Sequence, residues 1–330
     1  MIDTSVKYLG ITLKNPIVVG SCGLTSTIES LKKLESCGAG AVVLKSIFEE
    51  QILQQTDSEL QEVQKNSLLY SQMSESFDYI DTYIKDKTVD AYVQLISQAK
   101  QSLLIPVIAS INCVSDFEWT TFAKKIEKAG VDALELNVFL SAADITETNF
   151  EQTIIAIINK VTASVSIPVC VKISSSFTKI SKTIQTIAQS NVKGIVLFNR
   201  FYSPDIDLES LQIVNSGRYS NPADYTLPLR WIGLNANKVS CDLIASTGIH
   251  TGDAVVKQIL AGAAAVQVVS ALYTNGYDHI QTMLAQLEAF MNSKGYQYID
   301  QFKGKLAVTE TNASAYERIQ FMKYYAEIGK

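Results

Sequence analysis

The sequence predicts an α/β protein in which residues 1–330 form one domain, a single (β/α)8 or TIM barrel. Eight short apolar runs rich in β-branched residues recur along the chain, and amphipathic segments long enough for helices follow most of them. This alternation is typical of parallel βαβ units, and eight strands are the number in a closed barrel. No linker rich in proline, glycine or serine divides the chain, so we predict no domain boundary.

Each predicted strand is five or six residues long. In chain order the strands are Pro16–Gly20, Ala41–Lys45, Pro106–Ile111, Ala133–Asn137, Pro168–Ile173, Gly194–Phe198, Cys241–Ala245 and Ala265–Val269. The amphipathic segments that predict helices are Thr27–Cys37, Trp119–Ala129, Phe150–Val165, Ile180–Ser190, Asp253–Leu260 and Ile280–Ser293. Gly38 and Gly130 stand where two of these helices must end, a position that glycine favours.

Two connections are too long to be simple barrel loops. Ser46–Lys87 follows the second strand and Asn199–Val239 follows the sixth, so both lie at the rim where barrels carry their active sites. Their tyrosines suit a lid over a ligand, and these are Tyr70, Tyr79, Tyr83, Tyr202, Tyr219 and Tyr225. The alternative is that the insertions cover the barrel mouth or form a subunit contact. After the barrel, helical spacing of apolar residues in Thr309–Lys330 predicts a C-terminal helix.

Composition excludes several classes of function. The net charge is −5 and the pI is about 5.2, whereas proteins that bind nucleic acids or anionic membranes carry a basic excess. Five widely spaced cysteines predict neither disulfides nor a zinc site, and two histidines provide no metal-binding motif. The N-terminus lacks the pattern of a signal peptide, and no apolar run is long enough to span a bilayer. We therefore predict a cytoplasmic protein that binds no metal, nucleic acid or membrane.

The seventh and eighth units carry the clearest signal for a binding site. The run Ser-Thr-Gly-Ile-His-Thr-Gly begins at Ser246, and Ser270-Ala271 follows the eighth strand. Loops after these two strands commonly bind phosphate in (β/α)8 proteins, because small residues let backbone N–H groups point at the anion and a helix N-terminus adds positive charge. Gly248 and Ser270 fit this role. Helix capping by Thr251 is a structural explanation for the same sequence.

Charged and amide side chains lie at the ends of four predicted strands. Lys45 and Lys172 end strands two and five, where a buried ammonium is costly unless an anion or a hydrogen-bond acceptor meets it. Both lysines therefore predict a ligand, and an internal ion pair with Glu135 is the alternative. Asn137 and Asn199 end strands four and six, where two amides can hydrogen-bond one planar heterocycle. A single asparagine in this position is often only a turn former.

These residues resemble those of the class 1 dihydroorotate dehydrogenases, cytosolic barrels that use FMN to oxidise dihydroorotate to orotate. The resemblance runs from about Val6 to Leu306 and is strongest in Leu44-Lys45-Ser46, Glu135-Leu136-Asn137, Val171-Lys172, Thr247–Ala254 and Met291–Leu306. It implies an FMN-dependent oxidoreductase of pyrimidine biosynthesis, and it implies a homodimer.

The resemblance also implies which residues bind FMN. These are Gly20, Ser21, Lys45, Ser46, Asn137, Lys172, Phe198, Asn199, Gly233, Thr247, Gly248, Ser270 and Ala271. A cation beside the pyrimidine edge of a flavin raises its reduction potential, which is the role we expect for Lys172. Lys45 would lie between flavin and substrate. No cysteine cluster in this chain can ligate an iron–sulfur centre, so an electron-transfer partner would have to carry one.

The substrate-binding part of the family pattern is altered. After strand four the family has Asn-Leu-Ser-Cys-Pro-Asn, whose cysteine (or a serine in its place) takes a proton from the substrate, whereas this chain has Asn-Val-Phe-Leu-Ser-Ala from Asn137. Leu140 cannot act as a base, and Ser141 can do so only if the loop shifts its register. The family loop that binds orotate falls near Leu68–Ser74 without its asparagines, and Arg200 replaces a serine. Loss of such hydrogen-bonding groups strongly weakens substrate binding.

The sequence therefore supports three hypotheses. The first is an FMN-dependent oxidoreductase that transfers hydride between the flavin and a dihydropyrimidine-like or other anionic CH–CH substrate, with Lys45, Ser141 and Arg200 as candidate catalytic residues. The second is a barrel that binds FMN, or another phosphate ligand, without turnover or with a different specificity. The third is a lyase or aldolase in which Lys172 forms a Schiff base.

Overall fold

A closed barrel of eight parallel strands forms the centre of the structure. The computed structural model describes residues 2–48, 89–113, 119–138, 150–200, 204–215, 217–309 and 316. Numbered along the chain together with five other strands given below, the barrel strands are β3 Ile17–Val19, β4 Ala41–Val43, β6 Val107–Cys113, β7 Ala133–Val138, β8 Val169–Ile173, β9 Gly194–Leu197, β12 Asp242–Ser246 and β13 Ala265–Val268. They follow the order β4, β3, β13, β12, β9, β8, β7, β6, and pairing of β4 with β6 closes the barrel. The predicted fold and all eight predicted strands are confirmed.

Helices cover the outside of the barrel. They are α1 Ile28–Ser36, α2 89–102, α3 Trp119–Lys128, α4 Phe150–Thr162, α5 Ile180–Ala188, α6 Thr226–Asn235, α7 Gly252–Ala261, α8 Ser270–Asn275 and α9 His279–Lys294. The six predicted helices are confirmed to within three residues at either end, and α2, α6 and α8 are additional. Gly38 and Gly130 follow α1 and α3 with φ of +103° and +88°, which confirms them as helix-ending residues.

The barrel strands are apolar on both faces because side chains alternate between the barrel interior and the surrounding helices. All three residues of β3 and all three of β4 are fully buried. Parallel strands covered by helices require this composition, and β-branched side chains pack well on a pleated sheet. The same rule makes Lys172 on β8 and Glu135 on β7 conspicuous, since each is a charged residue within an otherwise apolar strand.

A two-stranded hairpin closes the N-terminal end of the barrel. β1 Val6–Tyr8 pairs with β2 Ile11–Leu13, and Leu9 in the turn between them is buried with φ of +54°. The Leu9 N–H donates to Oδ2 of Asp242, the first residue of β12, at 2.7 Å. A Cβ on Gly194, the first residue of β9, would overlap the Leu9 side chain. A ligand site therefore has to lie at the other end of the barrel.

The insertion after β9 contains a second hairpin and then α6. β10 Pro204–Asp207 pairs with β11 Gln212–Asn215 in antiparallel register. Ile206 and Ile213 face each other across this hairpin and are 61% and 76% exposed. The insertion after β4 starts with β5 Ile47–Phe48, which pairs with β6, and continues outside the described residues.

The predicted C-terminal helix, Thr309–Lys330, falls outside the described residues except for its first residue and Tyr316. The Tyr316 hydroxyl donates to the Leu306 carbonyl oxygen at 2.7 Å. Its ring lies against Gly233 of α6, where a Cβ would overlap it. Among the helices that the structure describes, none combines the length and apolar character needed to cross a membrane.

Candidate functional site

Lys172, Gln267 and Glu135 form a hydrogen-bonded series in the barrel interior. Lys172 Nζ donates to Gln267 Oε1 at 2.9 Å, and Gln267 Nε2 donates to Glu135 Oε2. The Lys172 ammonium also lies 4.0 Å from Glu135 Oε1. Lys172 is 8% exposed and Glu135 is 1% exposed. The ion pair with Glu135 that the sequence offered as an alternative is therefore present, with Gln267 bonded to both partners.

A cavity of about 290 Å³ lies beside Lys172 at the C-terminal ends of the strands. The predicted site residues that line it are Ser21, Lys172, Asn199, Arg200, Thr247, Gly248 and Ser270. A second cavity of about 440 Å³ shares Asn199, Arg200 and Thr247 with the first and is also lined by Phe198. The structure thus brings together predicted residues from four loops that are far apart in the sequence.

The loop after β12 turns small residues toward this cavity. Thr247 and Gly248 have φ of +81° and +79°, a conformation that favours glycine and is rare for a β-branched residue. The Gly248 N–H donates to Ser220 Oγ at 3.3 Å, and the Ser220 N–H donates to Ser270 Oγ at 3.0 Å. Ser270 begins α8, and the first N–H groups of a helix have no acceptor within it. This geometry suits a phosphate. Thr251 also caps α7, as the structural explanation of this sequence predicted.

His250 follows the same loop and should make stability depend on pH. Burial lowers the pKa of His250 below its ordinary value of 6.5, and its Nε2 lies 3.0 Å from Ser220 Oγ. The unfolded chain therefore binds more protons than the folded protein as the pH falls, and the folded state loses stability. We expect the free energy of unfolding to decrease from about pH 7 to pH 5, and to decrease less in His250→Gln. Denaturant titrations at both pH values would test this, and equal decreases in the two proteins would contradict it.

Asn137 and Asn199 are joined to each other. Asn199 Nδ2 donates to Asn137 Oδ1 at 2.5 Å, and the Asn199 N–H donates to the Ile173 carbonyl oxygen at 2.9 Å. These bonds fix both amides at the ends of β7 and β9. The amide nitrogen of Asn137 and the amide oxygen of Asn199 are the groups through which the pair can hydrogen-bond a planar heterocycle.

Serine side chains connect the first loops of the rim. The Ser46 N–H donates to Ser21 Oγ at 2.8 Å, and Ser46 Oγ lies 2.7 Å from Ser110 Oγ. Ser46 is thereby held behind Ser21, which lines the cavity. Lys45 is exposed at the same rim and is not among the described residues that line the cavity. Of the two predicted strand-end lysines, the structure places only Lys172 there.

The remaining predicted residues have other positions. A side chain at Gly20 would collide with Val269, because a Cβ there would lie 2.9 Å from Val269 Cγ2. Ala271 is fully buried in the first turn of α8. Gly233 lies in α6 and provides space for the Tyr316 ring, so its position does not support the implied contact with FMN. Ser141 and the preceding Leu140 lie outside the described residues. No group of three potential metal-ligating side chains occurs in the described ranges.

Arg200 holds the insertion after β9 in place. Its guanidinium donates to the carbonyl oxygens of Gly217 and Arg218. In the loop so held, Tyr219 stacks on Tyr273 with the ring centroids 5.4 Å apart, and both rings line the cavity. Of the tyrosines in this insertion that the sequence offered for a lid, Tyr219 lines this cavity. Arg218 in this loop and Tyr273 in α8 also line the cavity and were not predicted, because only the folded chain brings them to it.

Comparison with known proteins assigns the family. The family model for dihydroorotate dehydrogenase matches residues 3–291. This chain belongs to the dihydroorotate dehydrogenase family. A relative from Thermoplasma acidophilum, the catalytic subunit of dihydroorotate dehydrogenase B (NAD(+)), is 27% identical over 92% of this chain and 99% of the relative. The corresponding protein of Pyrococcus furiosus is 26% identical over 91% and 97% of the two chains. Chloroplastic dihydropyrimidine dehydrogenase (NADP(+)) from Arabidopsis thaliana is 24% identical over 92% and 76%.

Membership of the dihydroorotate dehydrogenase family confirms the resemblance seen in the sequence. Together with the barrel, it identifies the chain as an oxidoreductase of the dehydrogenase type and as a member of a flavoprotein family. This favours the first hypothesis over a Schiff-base lyase. The names of the relatives specify two different substrates, dihydroorotate and dihydropyrimidine, so family membership by itself does not define the substrate.

Proposed function

We propose that this chain binds FMN in the cavity beside Lys172 and transfers hydride between FMN and a small anionic CH–CH substrate. The observation that supports this most is the presence of the Lys172 ammonium in the same cavity as Gly248 and Ser270. Barrel enzymes hold phosphate at the loops after strands seven and eight, and a cation that faces a flavin raises its potential. Membership of a dehydrogenase family favours a flavin over other phosphate ligands.

The described residues fit FMN in size and in chemistry. The two adjoining cavities, of about 290 and 440 Å³, together fall within the usual size range of cofactor sites. The Gly248 loop and the first turn of α8 would hold the phosphate, and Lys172 with the Asn137–Asn199 pair would face the ring. When bound, FMN would supply the atom that accepts the hydride, its N5.

The residues around the cavity would bind and orient rather than react. Lys172 would place a positive charge at the flavin, and Arg200 would hold the loop that carries Tyr219. Lys45 at the rim and Ser141, which follows β7 in the sequence, are proposed to act on the substrate. The exposed Arg218, which lines the cavity beside Lys172, supports an anionic substrate. Because Leu140 occupies the place of the family's base, we propose that dihydroorotate is a poor substrate.

The cofactor and the substrate can be tested separately on the purified protein. We expect a yellow protein that releases FMN on denaturation, identified by its absorption spectrum and by chromatography. Under anaerobic conditions, dihydroorotate should bleach the flavin slowly or not at all. A colourless protein that does not take up added FMN would refute the cofactor, whereas rapid bleaching by dihydroorotate would refute the proposed substrate preference.

A barrel that binds FMN without turnover is the second candidate, and the leucine at position 140 favours it. A panel of dihydropyrimidines and related enones, each mixed anaerobically with the FMN-loaded protein, separates the candidates. Reduction by any member identifies an enzyme and its substrate class. A flavin that no member of the panel reduces supports the binding protein.

We also propose that the protein is a cytoplasmic homodimer. Free thiols at Cys37 and Cys170 suit a reducing compartment. An isolated two-stranded hairpin is at best marginally stable in water, so the exposed β10–β11 hairpin favours a subunit contact. Ile213→Glu should then convert dimer to monomer in sedimentation experiments, while Leu104→Glu, at a residue that is 99% exposed elsewhere, should not. A dimer that survives Ile213→Glu would refute this contact.

The relatives named as catalytic subunits support a search for an electron-transfer partner.

A further inference from the structure

We propose that Glu135 is a positioning residue that acts through Gln267 to set the place and the net charge of the Lys172 ammonium. This inference rests on the proposed function, because it concerns the flavin that Lys172 would face. It assigns a role to a side chain that lies behind the cavity and lines neither of the two cavities described above.

Glu135 and Lys172 are the only charged residues among the buried side chains that the structure describes. Two buried charges gain most when they share a direct hydrogen bond and satisfy their remaining polar groups. Here the ammonium stays 4.0 Å from Glu135 Oε1, and this oxygen has no hydrogen-bond partner among the described residues. The ammonium is thus held away from the carboxylate and lies at the wall of the cavity. This arrangement contributes less to stability than a direct ion pair would, but it keeps the positive charge at the cavity.

The Gln267 amide is the group that separates the two charges. A carboxylate only accepts hydrogen bonds, so Glu135 requires the amide nitrogen of Gln267 to point toward it. The amide oxygen then has to point the other way, toward Lys172 Nζ, which donates to it at 2.9 Å. A neutral residue at position 135 removes this requirement. The Lys172 ammonium, which only donates, would still face the amide oxygen, but no carboxylate would hold the amide from behind.

Of the described ionisable side chains around Lys172, Glu135 is the one that supplies a negative charge. Burial raises the pKa of Tyr8 and of Cys170, and the nearby Glu135 raises both further. Both side chains are therefore neutral near pH 7. Among the described residues, the interior of the barrel then contains one positive and one negative charge. The flavin would face a lysine whose charge is partly balanced from behind.

The test measures the midpoint potential of the bound flavin in FMN-loaded proteins. Glu135→Gln should favour the reduced flavin at least tenfold, which is about 30 mV for a two-electron couple, because it removes the balancing negative charge. Lys172→Met should change the potential in the opposite direction. In the Lys172→Met background, Glu135→Gln should change the equilibrium at most threefold. An equal effect of Glu135→Gln in both backgrounds would overturn the proposal, since Glu135 would then act without Lys172.

Gln267→Met provides a second test if Glu135→Gln does not fold. Without the amide, the ammonium is free to approach Glu135 directly, so the potential should shift at least tenfold toward the oxidised flavin. An unchanged potential in Gln267→Met would also overturn the proposal.

Asp242→Asn is a matched control, since this half-buried carboxyl accepts the Leu9 N–H at the closed end of the barrel. Its potential should equal that of the wild type, and a shift as large as that of Glu135→Gln would make the effect non-specific and overturn the proposal. FMN content is measured first, on the wild type. A wild type that binds no FMN refutes the proposed function, whereas a loaded Glu135→Gln protein with unchanged potential refutes this inference alone.

Discussion

Lys172→Met should lower the free energy of unfolding by about 3–5 kcal/mol, because it leaves the Glu135 carboxylate buried without its counter-charge. The double variant Lys172→Met/Glu135→Gln should recover most of this loss, since a neutral, hydrogen-bonded interior is about as stable as a buried pair. Denaturant titrations without added FMN measure both effects, so that cofactor binding does not contribute.

The partly exposed pair of Lys100 and Asp132 is the control for this loss. Lys100 Nζ lies 2.5 Å from Asp132 Oδ2, and both side chains are about 30% exposed. Lys100→Met should cost only about 0–1 kcal/mol, because solvent screens a surface pair. If Lys172→Met and Lys100→Met destabilise the protein equally, the interior pair has no special electrostatic role.

Gly248→Ala should produce the second large effect, a loss of about 3 kcal/mol or more together with loss of bound FMN. The φ of +79° costs an alanine about 1–2 kcal/mol, and crowding in a packed region adds about 1–3 kcal/mol. The added Cβ would lie 2.5 Å from the Asp224 carbonyl carbon, a backbone atom that has no rotamer with which to move away. Unfolding titrations and the FMN content of the purified variant measure the two losses.

Gly130→Ala separates the conformational cost from the crowding. Gly130 has a similar φ of +88°, and no atom lies within 4 Å of its Cβ position. It should therefore lose only about 1–2 kcal/mol and keep its flavin. A Gly248→Ala protein that behaves like Gly130→Ala would show that the loop can move away from Asp224 and Tyr225 at little cost.

The barrel could be predicted from the sequence because the patterns that indicate its strands and helices are local. Each barrel strand is a short β-branched run and each helix has its own periodicity, so neither depends on distant residues. The hairpin at Leu9 was missed because its three-residue strands are too short to show a pattern. Helix α6 was missed because it contains Pro228 and Gly233, which normally oppose helix formation; the proline is tolerated because it lies in the first turn.

The candidate site was predicted in its residue types and less well in its contacts. Lys172 and Gly248 could be found because strand ends and glycine turns have known positions in a barrel. The part played by Gln267 depends on which side chains of β7, β8 and β13 point inward, and this follows only from the strand register. Arg200 was predicted to act on a substrate, which stays a prediction, and its guanidinium also donates to two backbone carbonyls of a loop. No local pattern reveals such a bond.

Because the hairpin that carries Leu9 closes the N-terminal end of the barrel, ligands have to enter the described cavity from the C-terminal end. A flavin seated against Lys172 would have to enter before the substrate, and it would have to leave after it. A bound substrate would therefore block the release of FMN, so that exchange of the cofactor slows while substrate is present. The protein would therefore release FMN most slowly while substrate is bound.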